Sequence, residues 1–525
     1  VPIIEEILGH ARSQPGRPAF EIDGETVGFA ELADSALGFA HRLNALSVGT
    51  RALLPGRPPQ GVVALSLRNS TSFVRAFVGA TASTCATAVL DPSWPSRRTA
   101  AVLATLGPDV LVTDSADVAG LAEARRCRVV VTAGVEAPGT DRLDVWTSRT
   151  DAASASRVLA DRDDDQILLI GFTSGTTSAP KAFARTRRSW RGSLPASARL
   201  LRAGPGETTL APGPLAHGLS LYGLAESLYS GGTLVSARRF RARDCVSGVT
   251  DRGATRFLGV PTMLRALAVA ADSPGALEGL RTLVSSGAKL DRSVMASLAR
   301  VAPRALLVEY YGASELNFVS TATTDLSAPL PDLHDSASYV GEPFPGVEVS
   351  VRSPDGAELG EGERGTVFVR SDIVSEGYLG PGDGTGFRRD GAWCTVGDQG
   401  YLRGGALHII GREGEMLISG GHNVYPAEVE GALREARPLS EVQVLGLPDP
   451  HLGTRLVAVL RRSEAGHLAE EELRRHVERH LPRHKVPREF YSVDQWPLTS
   501  SGKISKRTLT EWIEAGRDDR VQRIP

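Results

Sequence analysis

Residues 166–182 read QILLIGFTSGTTSAPKA. The opening apolar stretch, Gln166 to Phe172, has the length and β-branched character of a buried strand. It runs straight into Thr173-Ser174-Gly175-Thr176-Thr177-Ser178-Ala179-Pro180-Lys181. Small residues let a backbone approach an anion closely, hydroxyls and exposed N–H groups donate to phosphate oxygens, and Lys181 adds a point charge. Pro180 stands where a GxxxxGK[ST] loop has glycine, so the ordinary P-loop is excluded. By composition alone a Ser/Thr/Gly loop is often only a loop, and its meaning depends on what surrounds it.

Outward from this strand, short apolar runs alternate with helix-length segments between about residues 60 and 310. GVVALSL, ATAVLDP, PDVLVTD and CRVVVTA read as further buried strands, and Ser72 to Ala82 and Ser96 to Leu106 as crossover helices. This is βαβ patterning, which builds mostly parallel sheet. The aperiodic stretch 133–165 reads as a surface connection. Beyond residue 340, VEVSVRSPDGAELGEGERGTVFVRS gives strand, PDG turn and strand, the texture of a β-rich subdomain. The last hundred or so residues alternate strand and helix on a smaller scale, as in a compact α+β domain.

Bulk properties point to a chain of two to four domains. At 525 residues and 41% hydrophobic, the chain exceeds what one core accommodates. A formal charge of −2 gives no general pull toward nucleic acid or an anionic membrane. Cys85, Cys127, Cys245 and Cys394 show no CxxC spacing, which argues against zinc and disulfide frameworks and suits a reducing cytoplasm. The acidic start VPIIEEILGHARSQP lacks the cations of a signal peptide, and no apolar run reaches the roughly 18 residues of a membrane span. Because Val1 is not Met, the N-terminus is expected to have been trimmed or processed. Only five of the 59 cationic residues are lysine: Lys181, Lys289, Lys485, Lys503 and Lys506. In so arginine-biased a chain, a retained lysine points to a need for a compact, rotatable ammonium.

With these segments in place, TSGTTSAPKA resembles the TSGTTGxPKG phosphate loop of the acyl-adenylate-forming superfamily: acyl-CoA synthetases, peptide-synthetase adenylation domains and luciferases. VLDPSWPSRR, Pro214-Leu215-Ala216-His217, Tyr310-Tyr311-Gly312-Ala313-Ser314-Glu315, Val396-Gly397-Asp398, Gly411-Arg412, SGGHNVYPAEVE (419–430) and PLTSSGKI (497–504) resemble further motifs of that superfamily, in its order. The resemblance implies an α/β fold with a large N-terminal ATP- and acid-binding domain (1–412). That domain comprises parallel βαβ subdomains and a β-rich subdomain, and a small mobile α+β lid (413–525) follows it.

It also implies roles. Thr173, Ser174, Gly175, Thr176, Thr177 and Lys181, with Gly287, Ala288, Tyr310, Tyr311, Gly312 and Ser314, would surround ATP. Tyr311 would offer a flat face to adenine, Asp398 would accept the ribose hydroxyls, and Arg412 would be its cationic companion. Glu315, with Thr176, would supply hard oxygen to Mg²⁺. Lys503 would carry its charge to the reacting carboxylate and α-phosphate, where two anions must meet and charge then moves onto pyrophosphate. His217 would border the acid pocket with Gly218, Tyr222, Ser286 and Gly312, and Gly420 and Gly421 would line a pantetheine path.

Amino-acid adenylation domains carry an Asp that pairs the substrate ammonium where this chain has Gly218, and an unpaired buried ammonium is costly. A non-amino acid, bulky apolar or aryl, is therefore expected. CoA is the leading acceptor, with a carrier protein or a partner ligase as alternatives. One departure stands at the hinge, where Gly414 replaces the usual Asp or Lys. A nucleotide-binding protein that kept the fold and lost catalysis is a further alternative, disfavoured by intact Lys181, Glu315, Asp398 and Lys503.

Overall fold

The computed structural model describes residues 3–46, 51–121, 123–151, 158, 163–173, 181–330, 339–380, 386–436, 439, 441–465, 469–500 and 502–525. The chain falls into two compact units. One comprises Val1–Gly259, Ala313–Asn317 and Ser371–Asp383, the other Val260–Gly312, Phe318–Arg370 and Gly384–Pro525.

In the first unit all five apolar runs become strands: Val62–Ser66, Ala86–Val89, Val110–Thr113, Arg128–Val131 and Ile167–Thr173. They pair in parallel, with Val62–Ser66 central between Ala86–Val89 and Val110–Thr113. The crossover helices are Thr71–Ala82 and Ser96–Leu106. Ser70 caps the former by accepting from the Phe73 N–H, satisfying a donor the first turn leaves unpaired.

Two features differ from the sequence expectation. The 173–181 loop is followed by an antiparallel strand, Lys181–Thr186, that pairs back onto Ile167–Thr173 with Lys181 opposite Thr173. Its sequence, KAFART, reads as polar because its cations, Arg185 among them, mask a buried strand. The stretch 133–165 is also more than a surface connection. Asp141–Arg142 adds an edge strand, and the short helix Leu143–Trp146 buries Leu143 and Trp146, the latter 5.3 Å from the Phe39 ring.

A second sheet in this unit runs Glu25–Gly28, Pro18–Ile22, Thr233–Ser236, Thr208–Leu210, Arg256–Gly259, parallel from its second strand onward. A sealed ion pair ties its last strand to the helix Gly218–Ser230, Arg256 Nη2 to Glu226 Oε2 at 2.6 Å, with both side chains 0% exposed.

The other unit starts with the parallel pair Thr282–Ser286 and Leu306–Ala313 and becomes antiparallel through Tyr339–Pro343, Ala406–Arg412, Asp398–Arg403 and Gly365–Arg370. Glu348–Arg352 pairs antiparallel with Gly365–Arg370, the strand–turn–strand read from the PDG segment. After a hairpin of Leu417–Ser419 and His422–Val424, a four-stranded sheet (Val442–Asp449, Gly453–Arg461, Glu489–Val493, Val521–Arg523) carries helices Pro426–Ala436, Glu470–His480 and Lys506–Glu514. Val429, Leu433, Leu473 and Val477 fill its core. Among the described residues no helix is long and apolar enough to cross a membrane. Cys85, Cys127, Cys245 and Cys394 are thiols rather than disulfide sulfurs.

Candidate active site

In the first unit Lys181 approaches Glu315 by way of Tyr378. Of the loop, Thr173 and Lys181 close the ends, while Ser174, Gly175, Thr176 and Thr177 lie outside the described residues. The Lys181 ammonium stands 5.5 Å from the centre of the Tyr378 ring, a cation–π distance. The Tyr378 hydroxyl donates to Glu315 Oε1 at 2.5 Å. Glu315 is buried, and its backbone carbonyl accepts the Ser375 N–H at 2.8 Å. Arg185, also buried, donates from Nη1 to the Ile373 carbonyl and from Nη2 to the Ser314 carbonyl, both at 2.7 Å. Burial pulls its pKa down to about 10 against the opposing pull of Glu315.

Among the described residues no group of three or more His, Cys, Asp or Glu could hold a metal. Mg²⁺ beside a nucleotide needs only one or two carboxylates, because phosphates and water complete its shell. A single buried Glu315, oriented by a phenol and set near Lys181, fits that requirement.

His217 stands at the N-cap position of the helix Gly218–Ser230 without a side-chain capping bond, and its Nε2 lies 3.3 Å from Asp91 Oδ2. Asp91 is itself oriented by Ser93, whose N–H and hydroxyl donate to Oδ1 at 2.9 and 2.7 Å. Asn69 pins the approach to His217, donating to the Gly213 and Ala237 carbonyls and accepting from the Leu215 N–H. A Cβ added at Gly218 would meet nothing within 4 Å, so space is open there. The Tyr222 hydroxyl bonds Ser193 and Ser197 at 2.8 and 2.9 Å, which commits it to helix packing.

In the other unit Asp398, 4% exposed, is the hub. Arg412 Nε and Nη2 donate to its two oxygens at 2.6 and 3.2 Å, and the Tyr311 hydroxyl donates to Oδ2. Burial and the Asp398 charge hold the Tyr311 phenol well above its ordinary pKa, so it remains a donor. Tyr310 packs 4.5 Å from the Phe318 ring and accepts at its carbonyl from the Ser286 hydroxyl. Gly312 lies in the strand Leu306–Ala313, and Ala288 is exposed after Gly287.

Lys503 sits on a tight turn in which Gly502 N–H donates to the Thr499 carbonyl and Thr499 N–H to that of Lys503. The Thr262 hydroxyl donates to the Gly502 carbonyl at 2.8 Å. A Cβ on Gly287, whose φ is +90°, would come within 3.0 Å of Lys503 Cε. The side chain is accessible but closely surrounded. That surround and Arg412 lower its pKa, against an opposing pull from Glu415.

Lys506 is no idle surface cation. It stands 3.3 Å from Glu415 and 3.6 Å from Glu430, tying the turn Glu413–Glu415 to the helix Pro426–Ala436. Gly420 and Gly421 form the two-residue turn of their hairpin with φ of +57° and +79°. That turn demands positive φ at both central positions, a conformational reason for the pair independent of any ligand.

Sequence reasoning missed Tyr378, Arg185, Asp91 and Asn69 as members of these clusters. Asp91 stood inside the quoted VLDPSWPSRR but carried no assigned role, and Tyr378 had only the short GY pair as a signal.

A parallel α/β body, a small C-terminal α+β domain and a lysine-bearing loop on that domain define the adenylate-forming class of enzyme. The AMP-binding enzyme model matches residues 9–379, and that of the AMP-binding enzyme C-terminal domain matches residues 428–503. The chain belongs to the AMP-binding enzyme family. It is 29% identical over 505 residues to an uncharacterized acyl–CoA ligase of Bacillus subtilis, YhfT, covering 96% of this chain and 97% of that one. It is 32% identical over 344 residues to a putative long chain fatty acid–CoA ligase of Staphylococcus epidermidis, VraA, covering 65% and 71%. The solved amide bond synthetase McbA of Marinactinospora thermotolerans is 26% identical, with a TM-score of 0.79 over 97% of this chain and 99% of that one.

Proposed function

We propose that the protein uses ATP to convert a non-amino, bulky apolar or aryl carboxylic acid to its acyl-adenylate and then transfers the acyl group to CoA. In the first step a carboxylate oxygen attacks the α-phosphorus, and the bond to pyrophosphate breaks. Lys503, Lys181 and Arg412 supply positive charge, Asp398 and Tyr311 hold the nucleoside, and His217 borders the acid. Mg²⁺ at Glu315 would neutralise phosphate charge. In the second step the CoA thiol attacks the acyl carbon, and AMP leaves.

The observation that supports this reading most is the Lys503 turn, held through Thr262 against the Gly287 segment. Such packing of the Lys503 turn on the Val260–Gly312 segment, with residues 413–525 taken as a mobile lid, suits the adenylating pose. Open space at Gly218, with no carboxylate there, supports an acid without an ammonium. Four cysteines kept as thiols support a cytoplasmic location. Resemblance along nearly the whole chain to an acyl–CoA ligase favours CoA as acceptor.

A second reading has its own support in the amide bond synthetase: here the chain would stop at acyl-AMP, handing it to an amine, a carrier protein or a partner ligase. The test is a panel of carboxylic acids scored for ATP-dependent pyrophosphate release. Each active acid is then offered CoA, amines or no acceptor, and products are separated by chromatography. Thioester formation supports the first reading; acyl-AMP or amide with CoA ignored supports the second. No pyrophosphate release with any acid contradicts both.

A further inference from the structure

The interior of a strand four residues past Lys181 is a costly place for a guanidinium, because a buried charge destabilises unless it is paired and fully hydrogen-bonded. An apolar side chain of similar volume would fill the space of Arg185 at lower cost. Arg185 is nevertheless 4% exposed, and among the described residues its bonded acceptors are two carbonyls, of Ser314 and Ile373. Those carbonyls belong to separate chain segments, and one rigid planar fork reaches both, a fixed geometry that a lysine ammonium does not offer.

The Ser314 carbonyl is part of the peptide group that enters Glu315. The peptide group that leaves Glu315 is fixed in turn, since its carbonyl accepts from Ser375 N–H, two residues beyond the Ile373 carbonyl that Arg185 also holds. Both backbone flanks of Glu315 are thereby clamped, and Tyr378 orients the carboxylate itself.

We propose that Arg185 is a positioning residue: its guanidinium locks the Ser314 and Ile373 carbonyls so that the Glu315 carboxylate is held ready for the nucleotide-bound divalent cation. The proposal rests on reading Glu315 as the metal carboxylate. Partners that orient a metal ligand commonly contribute about 10- to 100-fold in metal affinity.

The experiment measures Mn²⁺ binding to the protein–ATP complex by water-proton relaxation, alongside the Mg²⁺ concentration that half-saturates pyrophosphate exchange. Arg185→Met should weaken Mn²⁺ binding by about 10- to 100-fold, with Arg185→Lys intermediate. Metal-free ATP binding and the KM for the acid should stay unchanged. Wild-type metal affinity in a folded Arg185→Lys or Arg185→Met overturns the proposal, as does a change confined to the KM for the acid. If Arg185→Met does not fold, Arg185→Lys decides, and Tyr378→Phe should shift metal affinity in the same direction. Glu315→Gln separates the two ideas. If it leaves Mn²⁺ binding intact, the metal reading of Glu315 fails and takes the proposal with it; if it abolishes binding while the Arg185 variants retain it, only the role of Arg185 fails.

Discussion

In the proposed reaction Lys503 would act as a cation, so its usefulness would end where it loses its proton. The surrounding protein and Arg412 lower its pKa from 10.5, and the charged fraction therefore declines at a lower pH than for a free lysine. Pyrophosphate exchange should fall along an alkaline limb beginning below pH 10.5, and Lys503→Ala should lose both that limb and about 10²–10³ in rate. An unchanged rate in Lys503→Ala would falsify the role. Lys503 and Lys181 stood out in the sequence because few lysines survive among so many arginines. The role of Lys506 was not legible there, since pairing with Glu415 and Glu430 depends on a turn and a helix that meet only in three dimensions. The sealed Arg256–Glu226 pair gives a stability test at the same scale. Arg256→Ala leaves an unpaired buried carboxylate and should cost about 3–5 kcal/mol, whereas replacing both partners by Met and Leu should recover most of that. Thermal unfolding of the single and double variants decides the point.

Among the elements, the apolar strands were readable because a parallel strand buried on both faces is a continuous apolar run. The Lys181–Thr186 strand escaped because Lys181 faces the Tyr378 ring and Arg185 bonds buried carbonyls, partners that sequence periodicity cannot see. The Gly420-Gly421 hairpin shows the converse: its glycines were read as clearance for a ligand, and the turn type demands them in any case. Gly420→Ala and Gly421→Ala should each cost about 1–2 kcal/mol of local stability by forcing a side chain into a left-handed conformation. If Gly421 also lines a pantetheine path, only its variant should lose thioester formation while pyrophosphate exchange persists; equal behaviour of the two leaves the turn as the whole explanation. Gly411 is constrained differently, because a Cβ there would come within 2.8 Å of the Tyr425 ring. Gly411→Ala should therefore disfavour the present arrangement of the hinge and slow adenylation more than acyl transfer from supplied acyl-AMP, measurable by assaying the two half-reactions separately.

At the scale of the whole molecule, motif order along the chain was enough to give the fold and the general chemistry. The acid and the acceptor were not legible there, because the shape of a pocket is assembled from segments far apart in the sequence. Gly218 still yields a prediction: an aryl or branched acid should be activated in strong preference to the amino acid of nearest shape, because an ammonium beside Gly218 would lack a counter-charge. Comparable kcat/KM values for the pair would sink that part of the account. The central claim is activation through a mixed anhydride with AMP, and oxygen transfer tests it most directly. An active acid labelled with ¹⁸O in its carboxylate is turned over with ATP and an acceptor, and the products are weighed by mass spectrometry. In the proposed route the attacking carboxylate oxygen stays on the α-phosphorus when the acyl group departs, so AMP should carry one ¹⁸O and pyrophosphate none. Label in inorganic phosphate with formation of ADP, or unlabelled AMP, would contradict the account.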